Sequence, residues 1–263
     1  MKFCICFYGL VDRSLKYTYD SIKNNIFDIL KENNIEYDVY LHNNQIDSLN
    51  ATRNNEINCK LEINSWKVLN PKEFIIEKQK DVPANVERFD NEFKNIPDNF
   101  ENNKQSYKFT TYQLYSCYKV TQLWKDKPKY DYYLYLRPDL KYLHKINIDF
   151  IKKYIGKKCI LTPKWDCHDG EGINDRIAFG NYDEMVIYGE RFKYIDEFLS
   201  NVSCNYRTVK FKKHFVAELY THWVIIKKFK LQNNHIIDND GGVFNAQRIR
   251  ANGSIPYFDI GKK

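Results

Sequence analysis

The sequence predicts an α/β fold: a single domain built on a central, mostly parallel, twisted sheet flanked by helices. Three observations carry this expectation. KFCICFY at 2–8 is a continuous apolar run, as in a strand covered on both faces. Leu15, Tyr19, Ile22, Ile26 and Leu30 then recur at helical spacing, and EYDVYLH at 36–42 reads as a second strand. A strand, a helix and a strand within about 40 residues begin a doubly wound sheet. Finally, YDYYLYL at 130–136 is large and β-prone throughout, which marks another buried strand.

The remaining elements follow in order. Gly9 closes the first strand, and the first helix is expected to be capped near Asp12 or Ser14 and to end near Asn33 and Asn34. Residues 43–103 are rich in Asn, Glu and Lys, with one strand expected at 73–76. The stretch 82–103 is poor in apolar residues and reads as a mobile surface insertion or lid, centred on 80–103. A long helix is expected at 104–125, leading through Pro128 into the 130–136 strand. Beyond it come a short helix (148–155), a short strand (159–162), a polar loop (163–173) and a loop running into a strand (174–180). Helices at 182–200 and 215–229, a strand at 231–238 and a basic tail complete the chain. There is no internal repeat and no linker composition, so residues 1–263 are expected to form one domain.

Composition narrows the chemistry. The 263 residues suffice for a full core without disulfides. Aromatic residues make up 16%, including 21 Tyr and 17 Phe, so rings supply much of the burial and hydroxyls need partners. The net charge of +7 favours anionic partners: nucleotides, acidic membrane surfaces or nucleic acid. The densest cationic pieces, 210–213 and 227–230, are short and lack interleaved aromatics, which argues against a strand-binding groove. The seven cysteines form no CxxC pair and are odd in number. Cys4 and Cys6 share one face of one strand, a poor disulfide geometry, so reduced cysteines and a cytoplasmic setting are expected. The apolar stretch at 3–10 is too short for a signal peptide, and no window reaches the length of a membrane span. Peripheral contact with a membrane stays open.

Five pieces could carry chemistry. Arg137-Pro138-Asp139 ends the 130–136 strand, at the sheet edge where open α/β folds bind ligands. Residues two apart on a strand share a face, so an Arg fork for phosphate and a carboxylate for a divalent cation can meet one pocket. A plain Arg–Asp surface pair is the competing reading. Tyr8-Gly9-Leu10-x-x-Arg13 allows close backbone approach and places a helix N-terminus behind it, or is an ordinary strand–helix turn. Asn174-Asp175-Arg176 follows a loop holding Trp165, Asp166, His168, Asp169 and Glu171, which could be a sugar platform or a solvated acidic loop. His214, Glu218 and His222 lie at helical spacing, but two histidines eight residues apart rise by about 12 Å and cannot share an ion. Glu218 alone, amid apolar neighbours, is either a paired structural acid or a positioned base. Arg248 and Arg250 in the tail could close over phosphates or be solvated.

In order, CFYGLVDRS, QSYKFTTYQLYSCYKV, YDYYLYLRPDL, NDRIAFGNYDEM, AELYTHWVI and RIRANG resemble a family of small GT-A-type glycosyltransferases of bacterial polysaccharide gene sets and large DNA viruses. The resemblance spans most of the chain outside about 45–103 and implies a GT-A-like (Rossmann-like) domain. It implies a nucleotide-sugar donor and a glycan or glycoconjugate acceptor, in the cytoplasm or, for a virus, that of the host. Arg137-x-Asp139 stands where that family carries the Asp-x-Asp that holds Mn²⁺ or Mg²⁺ on the donor diphosphate. Asp139 is then the metal ligand, with Arg137 neutralising phosphate and dependence on a cation left open. The same resemblance puts Tyr8, Gly9 and Arg13 near the nucleotide, Asp175 near the donor sugar and Glu218 near the acceptor. Glu218 is the expected catalytic base, with Asp175 second. The alternative is a catalytically silent nucleotide- or glycan-binding module. Phosphoryl transfer and nucleic-acid binding rank below both.

Overall fold

The computed structural model describes residues 1–51, 54–94, 96, 101, 103–167, 172–200, 215–236 and 245–256. The first strand, β1 (Lys2–Gly9), is followed by α1 (Leu15–Ile22), a π-helical stretch at Lys23–Phe27, α2 (Asp28–Glu32) and β2 (Glu36–Gln45). A hairpin, β3 (Ser48–Ala51) and β4 (Glu56–Lys60), precedes β5 (Glu73–Lys78). Two short helices, α3 (Pro83–Val86) and α4 (Asp90–Lys94), lead to the long α5 (Gln105–Trp124). Then come β6 (Tyr132–Leu136), β7 (Leu140–Tyr142), α6 (Ile148–Lys152), β8 (Cys159–Pro163) and β9 (Ile177–Gly180). Helices α7 (Tyr182–Gly189), α8 (Ile195–Ser200) and α9 (Ala217–His222) precede β10 (Gln232–Ile236) and β11 (Ala246–Arg248).

Among the described residues, seven strands form one sheet in the order β10-β8-β9-β6-β1-β2-β5. The pairs β1–β2, β1–β6, β2–β5 and β8–β10 are parallel, as expected. β9 is the exception, running antiparallel between β6 and β8. Its reversal sets Ile177 opposite Leu136, so the residues before β9 meet the residues after β6 at one edge of the sheet.

Alternation along β1 and β6 divides the core in two. Phe3, Ile5 and Phe7 pair with Tyr132, Leu134 and Leu136 and pack under α1, α2 and α6. Cys4, Cys6 and Tyr8 lie on the other face with Tyr133 and Tyr135, under α5, α7, α8 and α9. The two central strands are buried along almost their whole length, which explains their unbroken apolar runs. Tyr135 shares a 2.6 Å hydrogen bond with Thr121 of α5, whereas the buried Tyr132 and Tyr188 hydroxyls make none.

Two expectations change, and two short strand pairs are added. Neither Asp12 nor Ser14 caps the first helix through its side chain: a 3₁₀ turn at Val11–Arg13 comes first, and Ser14 makes no capping bond. Asp12 is buried instead, accepting from Asn43 Nδ2 (2.7 Å), Ser65 Oγ (2.7 Å) and the Trp66 amide (3.2 Å). The described part of 82–103 is helical and docked, with Val82, Val86, Phe89 and Phe93 in the second core; the charged residues between these four give the segment its polar look in sequence. The short β3–β4 and β7–β11 pairs were invisible in sequence, because runs of three to five residues carry too little periodicity.

Cys4, Cys6, Cys59, Cys117, Cys159 and Cys167 are free thiols, with Cys4 and Cys6 sulfurs 3.7 Å apart. Among the described residues no helix is long and apolar enough to cross a membrane.

Gly189 lets α7 approach α5 closely, because any Cβ there would overlap Thr121 Oγ1 and the Tyr135 hydroxyl. Both neighbours are held by their mutual hydrogen bond and by the Thr121 bond to the Cys117 carbonyl (2.7 Å), so neither can give way freely. Gly189→Ala should therefore lower unfolding stability by about 1–3 kcal/mol, measured by urea denaturation.

Candidate functional site

The carboxyl ends of β1, β2 and β6 open into a cavity of about 560 Å³. This is within the usual size of a ligand site. Nine of the residues singled out from sequence line it: Tyr8, Gly9 and Arg13 from the first turn; Arg137 and Asp139 after β6; Asp175 before β9; Glu218 on α9; Arg248 and Arg250 from the tail.

The first turn is rigid. Gly9 has φ 103°, which a side chain would strain, and its amide donates to Ser116 Oγ at 2.7 Å. Ser116 in turn bonds His42 Nδ1 at 2.7 Å. The Val11 amide donates to Asn43 Oδ1 at 2.9 Å and the Arg13 amide to the Leu10 carbonyl at 3.1 Å. The amides of Gly9, Val11 and Arg13 are thus satisfied within the protein.

Arg137 and Asp139 form a two-pronged ion pair, Nε to Oδ1 at 2.9 Å and Nη2 to Oδ2 at 2.5 Å. Arg13 Nη1 reaches the same Oδ2 at 3.3 Å. Burial works to raise the Asp139 pKa, yet Arg137 and Arg13 hold it well below the usual carboxylate range. The third Arg137 nitrogen donates to Gln113 Oε1 at 2.9 Å, and Gln113 Nε2 donates to Asp175 Oδ2 at 2.5 Å. Gln113 of α5 thus joins the Arg137–Asp139 pair to the acid before β9.

Asp175 and Glu218 sit on either side of Arg176. The Tyr8 hydroxyl donates to the Asp175 carbonyl at 2.8 Å, and Asn174 Oδ1 accepts from the amides of Arg176 (2.9 Å) and Ile177 (3.1 Å). This side-chain-to-backbone turn fixes the entry to β9. Arg176 pairs with Asp166 and lies 3.9 Å from both an Asp175 and a Glu218 oxygen. Burial, then repulsion from Asp175, pushes the Glu218 pKa up to about 7 against the pull of Arg176. A carboxyl balanced there can accept a proton at neutral pH.

Among the described residues, five arginines crowd the cavity: Arg13, Arg137, Arg176, Arg248 and Arg250. Burial, then repulsion from neighbouring guanidiniums, lowers Arg176 and Arg250 to about 9. Arg176 Nε and Arg250 Nη1 are buried and make no hydrogen bond. Arg250 Nη1 stands 3.5 Å from a Glu56 oxygen. Glu56, wholly buried, also accepts from Arg13 Nε and the Ala251 amide (2.9 and 2.8 Å), so β4 anchors both the first turn and the tail. Beside the arginines, Leu10, Leu49, Ala51 and Phe109 form an apolar wall.

The divalent cation implied by the family resemblance fits these residues poorly. Both Asp139 oxygens already face guanidinium donors. Among the described residues no group of three or more His, Cys, Asp or Glu side chains could hold a metal ion. Trp165 does not line the cavity; its ring lies 5.8 Å from the Arg176 guanidinium. His168, Asp169, Glu171 and His214 lie outside the described residues. Gln113 and Glu56 went unnoticed in sequence. Gln113 sits on an amphipathic helix that hides its partners, and Glu56 lies in a polar, Asn-rich stretch with no periodicity.

No protein-family model matches the chain, and no curated protein matches it in sequence. Similar solved structures include mouse xyloside xylosyltransferase 1 in its apo form, with 10% identity over 90% of this chain and 85% of that one and a TM-score of 0.45. The apo-form glycosyltransferase GlyE of Streptococcus pneumoniae TIGR4 is similar at 14% identity over 89% of this chain, with a TM-score of 0.43. The match spans 45% of the GlyE chain. Galactosyltransferase LgtC, solved with donor and acceptor sugar analogs, shares 12% identity over 89% of this chain and 73% of its own, with a TM-score of 0.42. Likeness at this level leaves the chemistry to be read from the cavity itself.

Proposed function

We propose that the chain is a GT-A-type glycosyltransferase that moves a sugar from a nucleotide-sugar donor to a glycan or glycoconjugate acceptor. One observation carries this reading: among the described residues, five arginines, of which Arg176 and Arg250 each keep a buried nitrogen without a hydrogen bond, and a carboxyl with a pKa of about 7 face the same cavity. Glycosyl transfer needs both functions. In an inverting transfer the acceptor hydroxyl oxygen forms a bond to the anomeric carbon while Glu218 takes the hydroxyl proton. The bond from that carbon to the diphosphate oxygen breaks, and its electron pair leaves with the diphosphate. The guanidiniums stabilise the charge that develops there. Asp175, tied to Gln113 and Arg176, is the second candidate base and faces the donor sugar. The apolar wall at Leu10 and Phe109 offers a surface for the nucleobase.

A thermal-shift panel of nucleoside diphosphates and their sugars tests the binding half of this reading. The correct donor should raise the melting temperature by mass action. Slow hydrolysis of that donor to free nucleoside diphosphate separates a transferase from a silent binding module, which releases none. Glu218→Gln should retain donor binding and lose roughly 10²- to 10⁴-fold in turnover. The wild-type rate should rise with pH through about 7 as Glu218 ionises.

The same shift has a sign for stability. The folded pKa lies above the ordinary value of 4.5, so folding favours the protonated form. That stabilisation is complete below about 4.5 and is lost as pH rises through about 7. The loss at pH 8 is on the order of 3 kcal/mol for a buried carboxyl. Glu218→Gln should therefore melt higher than wild type at pH 8, with the difference vanishing toward pH 4.5.

A further inference from the structure

Building on the donor reading above, we infer that the cavity binds the diphosphate through guanidinium groups alone, without a divalent cation. The Arg137–Asp139 pair is the central observation. Asp139 gives Oδ1 to Arg137 Nε and Oδ2 to both Arg137 Nη2 and Arg13 Nη1. A cation there would have to displace two guanidiniums and then sit beside them, two positive charges facing others in a space shielded from water. Nothing nearby among the described residues compensates. Glu56, the other buried carboxylate on this wall, is taken up by Arg13, Arg250 and the Ala251 amide. Asp175 gives Oδ2 to Gln113 and keeps Oδ1 without a hydrogen bond, 3.9 Å from Arg176 Nε, a single oxygen where a divalent cation needs about six; Asp166 and Glu218 face Arg176.

An anion meets the opposite situation. Arg250 is 5% exposed and Arg176 7%; both line the cavity, and each keeps a buried nitrogen without a hydrogen bond. Buried guanidiniums crowd one another there, and a diphosphate is an acceptor-only ligand that relieves the crowding. Its several oxygens suit forked donors held in place. Glu56 and Asp139 act as struts: Glu56 holds Arg13 through Nε and Nη2, and Asp139 holds Arg137 through Nε and Nη2, which fixes the guanidinium wall against which Arg176 and Arg250 stand. Arg13 and Arg250 come from opposite ends of the chain, and Glu56 fixes both at one wall. The charge that a metal supplies elsewhere is here supplied by the chain.

Isothermal titration with pyrophosphate, UDP and GDP tests this, each in excess EDTA and in MnCl₂. The expected result is binding of at least one of the three with affinities in the two buffers agreeing within about two-fold. In EDTA, Arg250→Lys keeps the charge but loses the fork and should weaken binding roughly ten-fold. Arg248→Gln should do the same, and circular dichroism checks that each variant is folded. Binding that appears only with Mn²⁺ overturns the cation-free proposal and leaves the donor reading standing. Binding of none of the three in either buffer overturns both. Folded Arg248→Gln and Arg250→Lys proteins that both bind as tightly as wild type in EDTA also overturn it.

Discussion

The buried ion pair between Arg137 and Asp139 governs the rest of the site. Two charges withdrawn from water at the end of a fully buried strand are stable only in close, well-aligned contact with further partners. That requirement recruits Arg13 from the first turn and Gln113 from α5. Gln113 in turn orients Asp175, and Arg13 draws Glu56 and the hairpin β3–β4 against the cavity. A single electrostatic constraint thereby reaches five separate segments of the chain. The Pro138 carbonyl between the pair is itself held by Thr18 of α1 at 2.6 Å, so the backbone at the turn is pinned as well.

The reversal of β9 supplies the other half of the site. A parallel strand beside β6 would deliver its first residues to the far edge of the sheet. Running antiparallel, β9 starts where β6 ends, and the Arg137 amide donates to the Arg176 carbonyl at 3.1 Å. Asp175 and Arg176 thus stand next to Arg137 by backbone pairing, before any side chain interacts. Helix α9 then brings Glu218 alongside, and the Ile173 amide bonds the Glu218 carbonyl at 3.0 Å. A carboxyl lodged against another acid and largely out of water is costly to ionise, which is why its pKa is raised.

Much of this architecture was legible in the residues. The apolar runs of β1 and β6 announced strands covered on both faces, and the spacing of Leu15, Ile22, Ile26 and Leu30 announced the helix between β1 and β2. Arg137 and Asp139 stood out as charges ending an apolar strand, Asp175 as part of a charged triplet after an acidic loop, and Glu218 as an acid amid apolar helix neighbours. Glu56 and Gln113 did not stand out, because each is one polar residue among many, and only its partners reveal its place. The docked helices at 83–94 were hidden for a related reason: buried rings and aliphatics separated by charges make a segment that reads as polar.

Local pattern decides which segments become strands and helices, since burial of a periodic apolar face depends on neighbours within a few turns. The residues at strand ends also follow, because a charge is costly to bury without a partner and so interrupts an apolar run. What no local pattern contains is pairing between distant segments. That Asp139 faces arginines, that β9 runs backwards and that the tail's Arg250 is buried against Glu56 were settled only by the tertiary structure. Electrostatic pairing acts through space, and its partners here lie up to 195 residues apart along the chain.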